Sequence, residues 1–114
     1  PKTKPTTGQD AELAAIQRII AGEQYMTVYK AIQPEAEKAA ELAVNLVNGN
    51  KGAADALATR KVPNGQKDVA SVLLTPVAVT KDNIKDTIVK DNFLTSSEIC
   101  SGPAASACSA AGIS

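Results

Sequence analysis

Histidine and tryptophan are missing from this chain of 114 residues, and its aromatics are confined to Tyr25, Tyr29 and Phe93, 3% of the total. Without histidine the usual nucleophile–base pairs are unavailable. No GxGxxG, Walker loop, nucleophile elbow or HExxH pattern occurs either. An enzyme reading has almost no support. An excess of one charge is also lacking: 12 Lys+Arg face 12 Asp+Glu. A neutral chain with no basic patch has no electrostatic footprint for nucleic acid. No apolar run approaches the roughly 20 residues of a membrane-spanning helix. No signal-peptide pattern is present, and the chain begins at Pro1, as a processed N-terminus or a fragment would.

The scarcity of bulky residues has energetic weight. Burial contributes about 25 cal/mol per Å² of apolar surface, so alanine and valine each contribute little. A single domain of this length built from them looks under-supplied. That is a first indication of a partner.

Cys100 and Cys108 stand in "EICSGPAASACSAAGIS". With no histidine and no second cysteine pair a zinc site cannot be completed, and nothing else in the sequence calls for a metal or cofactor. Two readings remain: free buried thiols in a cytosolic protein, or one disulfide holding the tail. The second is favoured, because a Gly/Ala/Ser-rich tail has little else to anchor it. It implies an extracytoplasmic location.

Along the chain, residues 3–9 read as a short strand with Pro5 at its edge or start. "DAELAAIQRIIAG" follows, with Leu13, Ile16, Ile19 and Ile20 at helical spacing, Asp10 at the N-cap position and Gly22 at C′. "QYMTVYKA" suits a strand, with Met26, Val28 and Lys30 on one face and Tyr25, Thr27 and Tyr29 on the other. "IQPEAEKAAELAVNLVNGN" is a second helix, with Pro34 at its first position and an apolar stripe through Ala36, Ala39, Ala40, Ala43, Leu46 and Val47. Strand, helix, strand, helix with short loops is the α/β pattern, with parallel strands. From residue 51 the pattern breaks. "KGAADALATRKV" reads as loop with one helical turn, and Asn64-Gly65 marks a hairpin pairing "ATRKV" with "DVASVLL". "TPVAVT" is extended. Thr80 is placed to cap a helix carrying Ile84 and Ile88, and Thr95-Ser96-Ser97-Glu98 is a capping box.

Ligands of parallel α/β sheets bind beyond the carboxyl ends of the strands. Asp10 follows the first strand and Lys30 ends the second, so both belong on one rim. An acidic acceptor beside a basic donor suits a neutral polyhydroxylated ligand, whose hydroxyls both donate and accept. Capping alone would equally account for Asp10, and a solvated strand end for Lys30. The two tyrosines read as packing residues.

"GQDAELAAIQRIIAGEQYMTVYKAI" together with "LLTPVAVTKDNIKDTIVKDNF" resembles the C-terminal part of the xylose-binding members of the type I periplasmic-binding-protein family, the solute receptors of bacterial ABC sugar importers. The resemblance runs to about Phe93. The Gly8-to-Ala11 element is shared across the wider family, and "MTVYK" at 26–30 is more specific to the xylose branch. Better-known members often have proline where this chain has Ala31. The resemblance implies an α/β fold of two lobes that close over a sugar. Asp10 would accept hydrogen bonds from the sugar and Lys30 would donate them. Residues 1–31 would belong to the C-terminal lobe, 32–75 to the N-terminal lobe, and 76–114 would cross back with the cysteine tail. Neither lobe would be complete. The aromatic that stacks on the sugar would lie in the missing portion.

The implied function is an extracytoplasmic binding protein for an aldopentose such as D-xylose, present as a C-terminal fragment. Its partners would be the sugar, the importer's membrane subunits, and either a complementary N-terminal chain or a copy of itself. Two other readings stand beside it. One is the effector-binding core of a sugar-responsive transcription regulator, and the other is a self-assembling fragment with no ligand.

Overall fold

The computed structural model describes residues 5–113. In chain order the elements are β1 (Thr7–Gln9), α1 (Leu13–Ala21), β2 (Met26–Tyr29), α2 (Ile32–Val47), α3 (Lys51–Leu57), β3 (Arg60–Pro63), β4 (Asp68–Ser71), β5 (Val77–Val79), a π-helical turn (Lys85–Val89), α4 (Ser96–Ile99) and α5 (Ala105–Cys108). The chain divides into two compact units. Unit 1 takes the residues up to Ala31 and those from Pro76 onward; unit 2 is Ile32–Thr75. Within the strand predicted over 3–9, pairing begins at Thr7, and Thr3 and Lys4 lie outside the described residues.

Unit 1 is built on a three-stranded sheet of order β1-β2-β5. β1 and β2 run parallel, from Thr7↔Met26 to Gln9↔Val28, as the α1 crossover requires. β5 is antiparallel to β2, with Thr27 opposite Val79. The sheet is therefore mixed: the parallel pair that the strand–helix pattern implied is joined by an antiparallel third strand. A crossover helix imposes parallel pairing, and β5 is instead entered from residues 72–76, which form neither helix nor strand.

The α1 face is set by its isoleucines. Ile16, Ile19 and Ile20 are buried with Ala15, and Gly22 closes the helix at φ +81°. A left-handed C′ residue of this kind is where glycine is strongly favoured. The N-terminus differs from the prediction. Helix α1 starts at Leu13, and Glu12 holds the N-cap position with no side-chain cap bond, so Asp10 is not the cap.

The segment after β5 completes the core. Ile84 and Ile88 are fully buried, as their one-turn spacing predicted. The turn between them is wider than an α-turn: the Val89 N–H donates to the Ile84 carbonyl and the Lys90 N–H to the Lys85 carbonyl. The Thr87 hydroxyl donates to the Asn83 carbonyl at 2.6 Å, which takes that group out of the regular ladder. Asn83, rather than Thr80, organises the start of this segment. Its Oδ1 accepts from the Thr80 N–H at 2.9 Å and its Nδ2 donates to the Ala78 carbonyl.

The capping box forms as read. The Thr95 hydroxyl accepts from the Glu98 N–H, and the Glu98 carboxylate accepts from the Thr95 N–H at 2.8 Å. The Thr95 hydroxyl, then its backbone N–H, holds the Glu98 carboxyl below the usual range. Cys100 and Cys108 form a disulfide across Cα atoms 5.7 Å apart. Cys108 and Ile113 are buried, and Gln17 of α1 donates to the Ile99 carbonyl, so the tail is tied to the core. Tyr29 packs on Phe93 with ring centroids 5.0 Å apart. Burial, then the nearby Asp91 carboxylate, pushes the Tyr29 hydroxyl above its ordinary pKa.

Unit 2 is held by local contacts. Along α2, Gln33 bonds Glu37 and Lys38 pairs with Glu41, both at 2.8 Å. Pro34 is the third helical residue rather than the first, still within the turn that needs no backbone donor. The stretch read as loop with one helical turn is helix α3, braced by Lys51 and Asp55 one turn apart. Strands β3 and β4 pair from Arg60↔Ser71 to Pro63↔Asp68. Asn64 closes the hairpin by accepting from the N–H groups of Gln66 and Lys67, and Gly65 supplies a positive φ of +88°. Among the described residues of this unit only Ala54 is buried. Val44, Leu46 and Val47 of α2 and Leu73 and Leu74 after β4 are all exposed.

Candidate functional site

Asp10 and Lys30 come together in unit 1. Each follows directly on the carboxyl end of one of the two parallel strands, and the Lys30 Nζ lies 2.7 Å from the Asp10 Oδ1. Both side chains stay open to solvent, 47% exposed for Lys30 and 62% for Asp10. An exposed pair of this kind contributes about 0–1 kcal/mol to stability. Its groups therefore remain available to a ligand.

Two side chains that sequence reading passed over belong to the same site. The Gln9 Oε1 stands 3.5 Å from the Lys30 Nζ, adding an amide to the ion pair. Its signal in the sequence is only that it precedes Asp10. Thr27 reaches the site from inside. It is fully buried, and its Oγ1 accepts from the Ala11 N–H at 3.3 Å. Its place on the core-facing side of β2, where an apolar residue is usual, is a signal the sequence does carry.

The backbone at Asp10 is unusual. Asp10 has φ +75° and Ala11 φ +51°, two successive non-glycine residues in the left-handed region. The Asp10 N–H extends the parallel ladder by donating to the Val28 carbonyl at 2.8 Å. Gly8, two residues earlier, runs close to the segment leading into β2: a Cβ there would sit 3.0 Å from the Gln24 amide nitrogen. Gln24 is itself fixed by Arg18 and the Met26 carbonyl.

No family model matches the chain. Over 93 residues, 82% of its length, it is 55% identical to the D-xylose-binding periplasmic protein of Escherichia coli and 50% identical to that of Haemophilus influenzae. It covers 27% of each of those proteins, at the C-terminal end. The chain is a homologue of the C-terminal part of periplasmic sugar-binding proteins. Its structure agrees. A carbohydrate-transporter solute-binding protein from Chloroflexus aurantiacus, solved in complex with D-glucose, superposes with a TM-score of 0.74 at 34% identity, over 82% of this chain and 26% of that one. Among the described residues of this chain no group of three or more His, Cys, Asp or Glu residues able to hold a metal occurs. None of its helices among those residues is long and apolar enough to cross a membrane.

Proposed function

We propose that this chain is the C-terminal part of an extracytoplasmic solute-binding protein that delivers an aldopentose, D-xylose or a close relative, to an ABC importer. The observation that carries the reading is the Asp10–Lys30 pair, 2.7 Å apart and open to solvent at the carboxyl ends of adjacent parallel strands. Asp10 accepts from sugar hydroxyls and Lys30 donates to them. The 55% identity to a D-xylose-binding protein supports the pentose. The glucose held by the structural neighbour supports a sugar in general. The disulfide and the periplasmic relatives support an oxidising compartment.

Unit 1 belongs to the C-terminal lobe and unit 2 to the N-terminal lobe, and the chain's division at Ala31/Ile32 and Thr75/Pro76 supports that allocation. The remainder of the protein supplies the stacking aromatic and covers the apolar faces of unit 2. The test is calorimetric titration of the full-length protein with D-xylose and with D-glucose. Hydrogen bonds to charged groups are worth about 1.5–3 kcal/mol each. Asp10→Asn and Lys30→Met should thus each weaken xylose binding about 10- to 150-fold. Unchanged affinity in both variants would end this reading.

A further inference from the structure

We infer that Thr27 is a positioning residue for the sugar site: its buried hydroxyl holds the Asp10–Ala11 turn in the left-handed conformation that aims the Asp10 carboxylate at Lys30. The inference rests on the reading of Asp10 and Lys30 as the sugar-binding pair.

The turn needs holding. Asparagine and aspartate enter the left-handed region more readily than other non-glycine residues, but Ala11 has a Cβ and no polar side chain to compensate. Two such residues in succession at φ +75° and φ +51° relax toward negative φ unless something fixes them. A rotation there would swing the carboxylate away from Lys30. Two bonds oppose it. The Asp10 N–H donates to the Val28 carbonyl, a bond any residue but proline could make at position 10. The Ala11 N–H donates to the Thr27 Oγ1, and that bond depends on the residue at position 27. Ala11 is fully buried, so water cannot replace a lost acceptor.

Thr27 has no other evident task. It is one of two buried polar residues among the described residues, the other being Gln24, whose amide is engaged by Arg18 and Met26. Its strand neighbour across the sheet is Val79 and its pleat-mate is Tyr29, both in the hydrophobic core. Packing alone would be served by valine, which has the same shape and high strand preference. The hydroxyl is the part that packing does not explain.

The experiment uses the full-length protein, with Thr27→Val, Thr27→Ser and Asp10→Asn, and Thr27→Val combined with Asp10→Asn. Xylose affinity is measured by calorimetry, and amide exchange is followed by mass spectrometry over the peptide containing Asp10 and Ala11. Thr27→Val should weaken xylose binding about tenfold and accelerate exchange in that peptide, while Thr27→Ser restores both. In the Asp10→Asn background the same change should weaken binding less than twofold, because the carboxylate it positions is gone. If Thr27→Val does not fold, Thr27→Ala removes the same acceptor and takes its place. Equal loss in both backgrounds, or wild-type affinity in Thr27→Val beside a weakened Asp10→Asn, would overturn the inference. If Asp10→Asn itself binds normally, the site reading fails, and the exchange data still decide whether Thr27 holds the turn: no acceleration rejects that as well.

Discussion

Unit 1 and unit 2 reach opposite ends of the burial scale. Unit 1 gathers Ile16, Ile19, Ile20, Ile84, Ile88 and Ile99, each at most 1% exposed, around Val79. Unit 2 forms two helices and a hairpin and buries Ala54. The difference lies in composition, with seven of the chain's eight isoleucines in unit 1, and in sequence separation. Unit 1 brings together segments from both ends of the chain, so β-branched residues meet across long distances and bury completely. Unit 2 is joined by neighbours three or four residues apart, each pair worth about 0.2–0.5 kcal/mol, by α2 lying against α3, and by one hairpin. Local pairing makes secondary structure without making a core. The site sits on the unit that has a core, where side chains can be held in place.

The largest effects should separate the units. Ile16→Ala removes a fully buried side chain and should cost about 2–5 kcal/mol in urea unfolding of the chain. Val47→Ala, at a position 86% exposed, should change stability by less than about 0.5 kcal/mol. In the full-length protein, where unit 2 is proposed to be covered, Val47→Ala should become costly. A null effect there would break the comparison. Reducing the Cys100–Cys108 disulfide comes next. In the chain-entropy model so short a loop contributes about 2–3 kcal/mol. The loss should appear in the amide exchange of α1 and α4, while that of the β3–β4 hairpin stays unchanged.

Smaller effects sharpen the picture of unit 1. Thr95→Ala should cost about 0.5–2 kcal/mol as the cap of α4 is lost. Acid should undo the same box by another route. Because folding lowers the pKa of Glu98, its contribution is fully present above the unfolded carboxylate range and disappears as pH falls through the lowered value. Protection of the α4 amides, measured relative to their intrinsic exchange at each pH, would show it, and Glu98→Gln should remove the pH dependence of that protection. A small stability change belongs to the candidate site. Lys30→Met should move the melting point little, since an exposed pair contributes about 0–1 kcal/mol, even as it weakens sugar binding.

What was legible in the sequence follows from the same division. Periodic isoleucines announced α1 and the burial of Ile84 and Ile88, and chemistry specific to one residue type announced Gly22, Asn64-Gly65 and the Thr95–Glu98 box. The Asp10–Lys30 juxtaposition followed from one crossover helix joining neighbouring strands. Three features did not show. The left-handed turn at Asp10–Ala11 is imposed by contacts with β2, and alanine gives no local sign of it. The antiparallel entry of β5 depends on the path of the intervening chain, which residue types do not encode locally. Helix α3 was obscured because "KGAADAL" has no apolar stripe; alanine propensity and the Lys51–Asp55 pair sustain it instead.

The most direct test of the account is titration of D-xylose into this chain alone, and into the chain mixed with the N-terminal remainder of the protein, with the mass of each species followed by native mass spectrometry. The chain alone should show no measurable binding, and a one-to-one complex of the two pieces should restore it. Tight binding of xylose by the isolated monomer would contradict the account.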